Sequence, residues 1–182
     1  PTEPNTYRTP LPRTGKVSSI TLGVRITNGA TSGDEVISDA IDRIRILGNG
    51  STPIMSMTGR SAYAFHTLMS KRRPPQNRSM AAAAVQEIWY TIPFGYYLGD
   101  REHFLDLSAW NSVDLEGEYR PTISATTFVT ATIAFSVMLH TFQSDDAPGS
   151  AGGHIRCTEV RTATSVASGD LSVLLPTEFP LL

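Results

Sequence analysis

The fold class this sequence predicts is all-β: an antiparallel β-sandwich with one short helix and an extended N-terminal arm. Three observations predict it. Short runs alternate apolar and polar residues, turn dipeptides separate them, and only one substantial stretch carries a helical period. Helices do not alternate with strands, which argues against a parallel βαβ fold. The 182 residues and 19.7 kDa suit one domain of ordinary size with room for an appendage.

The opening Pro1 to Thr14 holds four prolines (Pro1, Pro4, Pro10 and Pro12) and no periodicity. Proline withholds a ladder donor and fixes the backbone near polyproline geometry, so an extended arm is expected, dispensable for the fold. Ile20, Leu22, Val24 and Ile26 then alternate with Thr21, Gly23, Arg25 and Thr27 as a half-buried strand, followed by an Asn28-Gly29 turn. A second strand runs from Ile41 to Leu47, with Ile44 and Ile46 inward and Arg43 and Arg45 outward. It stops at Gly48-Asn49-Gly50, a turn built for positive φ. Thr52 to Thr58 is a third strand, and Pro53 places its start at a sheet edge.

Gly59 to Ser70 switches to a helical period, with Ala62, Phe65 and Met69 on one face, Tyr63 and His66 on its flank, and Ser61 as its cap. Lys71-Arg72-Arg73-Pro74-Pro75 ends it. Met80 to Phe94 begins as an alanine run and finishes as a strand in which Ile88, Tyr90, Ile92 and Phe94 alternate with Trp89 and Thr91. Asp100 to Trp110 reads as a loop carrying one helical turn near Asp106–Trp110. Val113, Leu115, Gly117 and Tyr119 form the next strand, and Phe128 to Phe142 the longest. Gln143 to Gly153 is linker-like, and strand candidates follow at His154–Val160 and Leu171–Leu175. The divisions expected are an arm (1–15), a jelly-roll domain (16–143), a linker (144–153) and strands at 154–182. A jelly roll takes about eight strands. Either residues 154–182 begin a second, incomplete roll, or they complete a single one.

Charged residues make up 18% of the chain and the net charge is −2, which excludes an acidic solvating tail and a generally basic nucleic-acid binder. No apolar run reaches the ~18 residues of a membrane-spanning helix. The polar, acid-bearing start is unlike a signal peptide. Cys157 is the only cysteine, so no internal disulfide or cysteine-built metal site is expected, and a reducing compartment fits. Arginine outnumbers lysine 13 to 2, which suits a surface covered by neighbouring subunits. Genome composition explains that bias equally well.

Few constellations carry chemistry. His66, His103, His140 and His154 are scattered, without the paired spacing of a metal site, and each is expected to be a hydrogen-bonded or packing side chain. Asp145-Asp146 lacks calcium-loop spacing. Asp100, Glu102 and Asp106 with Asp114, Glu116 and Glu118 invite a glycosidase reading. However, the last three share the outer face of a strand, where acids are ordinary. Ser108 has no nucleophile elbow, and neither Gly48-Asn49-Gly50 nor Gly152-Gly153 is a phosphate loop. No catalytic, metal or cofactor-binding residue is assigned, and no enzyme is expected. The one basic cluster, Lys71, Arg72 and Arg73 with Arg78, could meet nucleic acid or an anionic membrane, or serve to end the helix.

The order of features adds a resemblance. An arm, a long first strand, a strand ending at Asn49-Gly50 and a helix with aromatic Tyr63 and Phe65 come first. Trp89-Tyr90-Thr91-Ile92-Pro93-Phe94-Gly95, Leu105 to Trp110, Val113-Asp114-Leu115 and the long last strand follow. Over Lys16 to Phe142 this resembles the N-terminal half of double jelly-roll major capsid proteins of tailless icosahedral viruses. Gly153 to Ser165 and Ser168 to Pro176 look like the entry to a second roll, although a complete one would take roughly a hundred residues more.

The resemblance implies a structural virion protein, a major capsid protein that assembles into an icosahedral shell through pseudo-hexameric capsomers. Its partners would be copies of itself, other capsid proteins such as a vertex protein, and an internal membrane or the packaged genome. It would use no cofactor and no small-molecule substrate, and would be assembled in the host cytoplasm. In that role Pro4, Tyr7, Arg8, Pro10 and Pro12 would form an assembly arm. The alternative is a carbohydrate-binding β-sandwich, such as a viral spike or receptor-binding module, with Trp89, Trp110, Tyr96 and Tyr97 as an aromatic platform.

Overall fold

A computed structural model describes residues 5–30, 36–119, 128–143, 148, 149, 153–155 and 157. In chain order its strands are β1 (Asn5–Pro10), β2 (Lys16–Asn28), β3 (Ile41–Gly48), β4 (Thr52–Met57), β5 (Gln76–Arg78), β6 (Val85–Pro93), β7 (Leu105–Asp106), β8 (Val113–Tyr119) and β9 (Phe128–Thr141). Two helices, α1 (Ile37–Ala40) and α2 (Gly59–Ser70), and a 3-10 turn at Leu107–Ala109 complete the set. One sheet has the order β1-β8-β3-β4. In the other, β5, β6 and β2 lie side by side, β7 extends the row, and β9 pairs with β2. All the named strand pairings are antiparallel.

The two sheets share one core. Ile20, Leu22, Val24 and Ile26 of β2 and Ile88, Tyr90 and Ile92 of β6 meet Ile44 and Ile46 of β3, Met55 and Met57 of β4, and Val113 and Leu115 of β8. These are the positions that period-two alternation predicts. At the other flank Phe135 of β9 stacks on Tyr7 of β1, with ring centroids 4.9 Å apart, and leans on Tyr119 of β8 at 6.1 Å. Its ring fills the space over Gly117, where an added Cβ would sit 2.9 Å from it.

Several elements depart from expectation. The N-terminal segment is extended, but over Asn5–Pro10 it is an edge strand of the first sheet, registered against Tyr119–Asp114. Pro10, the one proline within β1, is tolerated there because an edge strand spends only half of its backbone groups on a partner. β5 and β7 have three and two residues, too few to show a period. The α2 cap is Thr58 rather than Ser61: Thr58 Oγ1 accepts the Ser61 N–H at 3.2 Å, which makes Ser61 the donor that is capped. Lys71, at φ 57°, closes the helix in the left-handed conformation. The turn after β3 has positive φ at both Asn49 and Gly50, as its sequence requires. Pro53 does stand near the start of an edge strand, β4.

The expected linker and second-roll entry lie largely outside the described residues, as do Pro1, Pro4 and Asp145-Asp146. Within them, Lys16 Nζ donates to the carbonyls of Pro148 and Gly149. Ile155 N–H donates to Phe94 O at 2.7 Å, and Ser56 N–H to Cys157 O at 3.1 Å. This later segment therefore touches both sheets.

A buried amide pair positions α1. Asn28 donates to the carbonyls of Ser79 and Ala81 and accepts from Gln86 Nε2 at 3.0 Å; Gln86 Oε1 in turn accepts the Ile37 N–H at 3.2 Å. α2 then lies so close to α1 that a Cβ on Gly59 would stand 2.3 Å from Ser38 O. Gly59→Ala is expected to destabilise the fold by about 1–3 kcal/mol, because the obstacle is backbone rather than a flexible side chain. A lowered urea midpoint would report it, and an unchanged one would mean the helices can separate at no cost. Deleting residues 1–14 removes β1 and should lower the melting temperature by roughly 3 °C or more. Calorimetry showing no shift would return this segment to the status of a dispensable arm.

Candidate functional site

The titratable side chains singled out by sequence are mostly engaged in holding the fold. His66 is buried on α2, and its Nδ1 accepts the Thr91 N–H of β6 at 2.8 Å. It thereby satisfies an edge group beyond the reach of the short β5. His140 Nε2 lies 2.9 Å from Thr21 Oγ1, His103 meets Asp100 at 3.2 Å, and the His154 ring stands edge-on to Phe94.

Asp100 is nearly fully buried and accepts the backbone N–H groups of Tyr96, Glu102 and His103. Burial pushes its carboxyl up, but these hydrogen bonds outweigh burial and hold it below the ordinary carboxylate range. The result is a locked loop whose tip, Tyr96-Tyr97-Leu98, is exposed. Asp106 caps the 3-10 turn through Ser108.

On the outer face of the first sheet, Asp114 pairs with Arg8 at 2.9 Å, and Arg45 lies between Glu116, at 2.7 Å, and Glu118. Alternation correctly places these acids outward. The aromatic candidates do not converge. Trp89 lies over its cross-strand partner Gly23 in one sheet, and Trp110 over Gly48 in the other. Tyr96 and Tyr97 belong to the locked loop. Among the described residues no group of three His, Cys, Asp or Glu is gathered as metal ligands.

What the structure does bring together is a set of arginines. An open cleft of about 530 Å³ is lined by Val36, Ser38 and Asp39 at α1, Arg60 and Tyr63 on α2, Arg73 in the α2–β5 connection, and Gln76 and Arg78 on β5. Two members of the sequence-predicted basic cluster, Arg73 and Arg78, are therefore joined by Arg60, which lies a dozen residues earlier and was missed. Lys71 and Arg72 are exposed at the helix end and are not among its lining residues. Asp39 holds Arg60 in a two-pronged contact, Nε–Oδ1 at 2.7 Å and Nη2–Oδ2 at 3.0 Å. The Arg60 hydrogen bond, helped by Ser38 and the charge of Arg78, keeps the Asp39 carboxyl below its usual range despite partial burial.

Among the described residues Arg73 and Arg78 make no ion pair, and Asp39 is the one acid that lines the cleft beside the three arginines. Nearby in the core, the Tyr90 hydroxyl is buried with no hydrogen-bond partner among the described residues. Burial, then the charge of Asp39 and the proximity of Tyr63, push its ionisation well above the ordinary tyrosine range.

No protein-family model matches the chain, and no curated protein matches it.

Burial lowers the His66 pKa below its ordinary 6.5. The unfolded chain therefore binds more protons than the folded one as pH falls below that value, so the His66 contribution is complete at neutral pH and declines on acidification. Denaturant titrations from pH 7.5 to 5.5 should show a steeper loss for the native chain than for His66→Gln. Parallel slopes would mean His66 is not the buried acceptor.

Proposed function

We propose that this chain is a structural virion protein, a major capsid protein whose sandwich is the jelly-roll brick of an icosahedral shell. A shell subunit needs to be a stiff body with edges and patches that meet copies of itself under closed symmetry. The observation that carries this reading is the shared core of two antiparallel sheets, tied at the β1–β8–β9 flank by Tyr7, Phe135 and Tyr119. Such interdigitation resists shear between the layers.

Contact surface is also present. The long strand β9 exposes Val129 and Met138, and the locked loop exposes Tyr96, Tyr97 and Leu98. Pre-ordering that loop lowers the entropy lost when a neighbour covers it. The order of sequence features over Lys16 to Phe142, similar to the first half of double jelly-roll coat proteins, supports the same reading. Pseudo-hexameric capsomers, a vertex protein, and a membrane or genome beneath the shell belong to this proposal, as does assembly in a host cytoplasm.

Size-exclusion chromatography with light scattering at rising protein concentration tests the reading. Trimers, hexamers or closed shells are expected. A strict monomer at high concentration, together with sugar binding on a glycan array, would replace it with the carbohydrate-binding sandwich.

A further inference from the structure

The cleft between α1, α2 and β5 has no part in sheet stacking, and its charge is unlike the rest of a chain whose net charge is −2. We propose that it binds a phosphate group: Arg73 and Arg78 make the direct charge-assisted contacts, Arg60 is held by Asp39, and Tyr63 and Gln76 supply neutral donors. This inference uses only the cleft residues and does not depend on the shell reading.

Three observations favour a phosphate. First, arginines from three separate segments line one concavity, which concentrates positive charge that an anion would offset. Second, among the described residues Arg60 is the one cleft arginine held in an ion pair, which leaves the guanidinium forks of Arg73 and Arg78 for a ligand. A phosphate carrying about −1.5 to −2 charge at neutral pH presents enough oxygens to engage both, whereas a lone carboxylate would leave one unmatched. Third, the Tyr63 hydroxyl and the Gln76 amide among the lining residues suit a tetrahedral oxyanion approached from several directions. The cleft is built rather than incidental: the Asn28–Gln86 amide pair fixes α1, and the Gly59 contact fixes α2 against it.

The phosphate could be free or the headgroup of a lipid, and the experiment separates these sources. Inorganic phosphate is titrated into the full chain at constant ionic strength, with chloride as the control, by calorimetry and by thermal shift. Saturable binding with a raised melting temperature is expected, and Arg73→Gln with Arg78→Gln should weaken it by about tenfold or more while leaving the circular dichroism spectrum unchanged.

Asp39→Asn should tighten binding several-fold, because it frees Arg60 and removes the carboxylate that competes for it; misfolding cannot imitate that gain. Co-sedimentation with phosphatidic acid vesicles, displaced by free phosphate, would assign a headgroup. Phosphate binding without vesicle binding would assign the free ion. Equal responses to phosphate and chloride, or undiminished binding in the double variant, would overturn the proposal.

Discussion

A β-strand with neighbours on both ladders and cover on both faces has almost no freedom left, and β2 is such a strand. Its inner residues Ile20, Leu22, Val24 and Ile26 are buried in the core, while β6 and β9 occupy its two edges in long antiparallel registers. Its outer face is covered as well, because Trp89 lies across Gly23 and His140 reaches Thr21 from the opposite side. A one-residue slip of β2 would exchange these two faces and place Arg25 in the core. The rest of the sandwich is built outward from that fixed register.

The central strand also sets the arginine cleft. β2 ends in Asn28, whose buried side chain meets Gln86 near the start of β6, and Gln86 holds the first amide of α1. Asp39 on that helix turn then holds Arg60 on the next helix. A polar chain buried in this way is stable only when each member is satisfied, and so it passes the geometry of the sheet on to the cleft. The electrostatics differ by location. On the outer sheet face, Arg8 and Arg45 are matched by Asp114, Glu116 and Glu118 from the strand between them. Among the described residues that line the cleft, three arginines stand beside one acid, and only Arg60 is paired with it.

Local sequence reported the fold well where period and punctuation are strong. The alternation of β2, β3, β6, β8 and β9, the Asn49-Gly50 turn, the helix over Gly59–Ser70 and the turn near Leu107–Ala109 were all legible. β5 and β7 were not, because two or three residues carry no measurable period. β1 was concealed by the flanking prolines and by Pro10 within it, which its edge position permits. The site was half legible. Arg73 and Arg78 stood in one basic run, but no spacing rule ties them to Arg60 or Asp39, which come from earlier elements.

By itself, then, the sequence determined which residues face the core and where each strand turns, since those choices depend on neighbours two to four positions away along the chain. Which strands pair, which glycine receives which indole ring, and which arginines gather around one concavity were decided only in three dimensions. Those outcomes depend on contacts between residues tens of positions apart, and no local pattern encodes them until the two sheets have closed on each other.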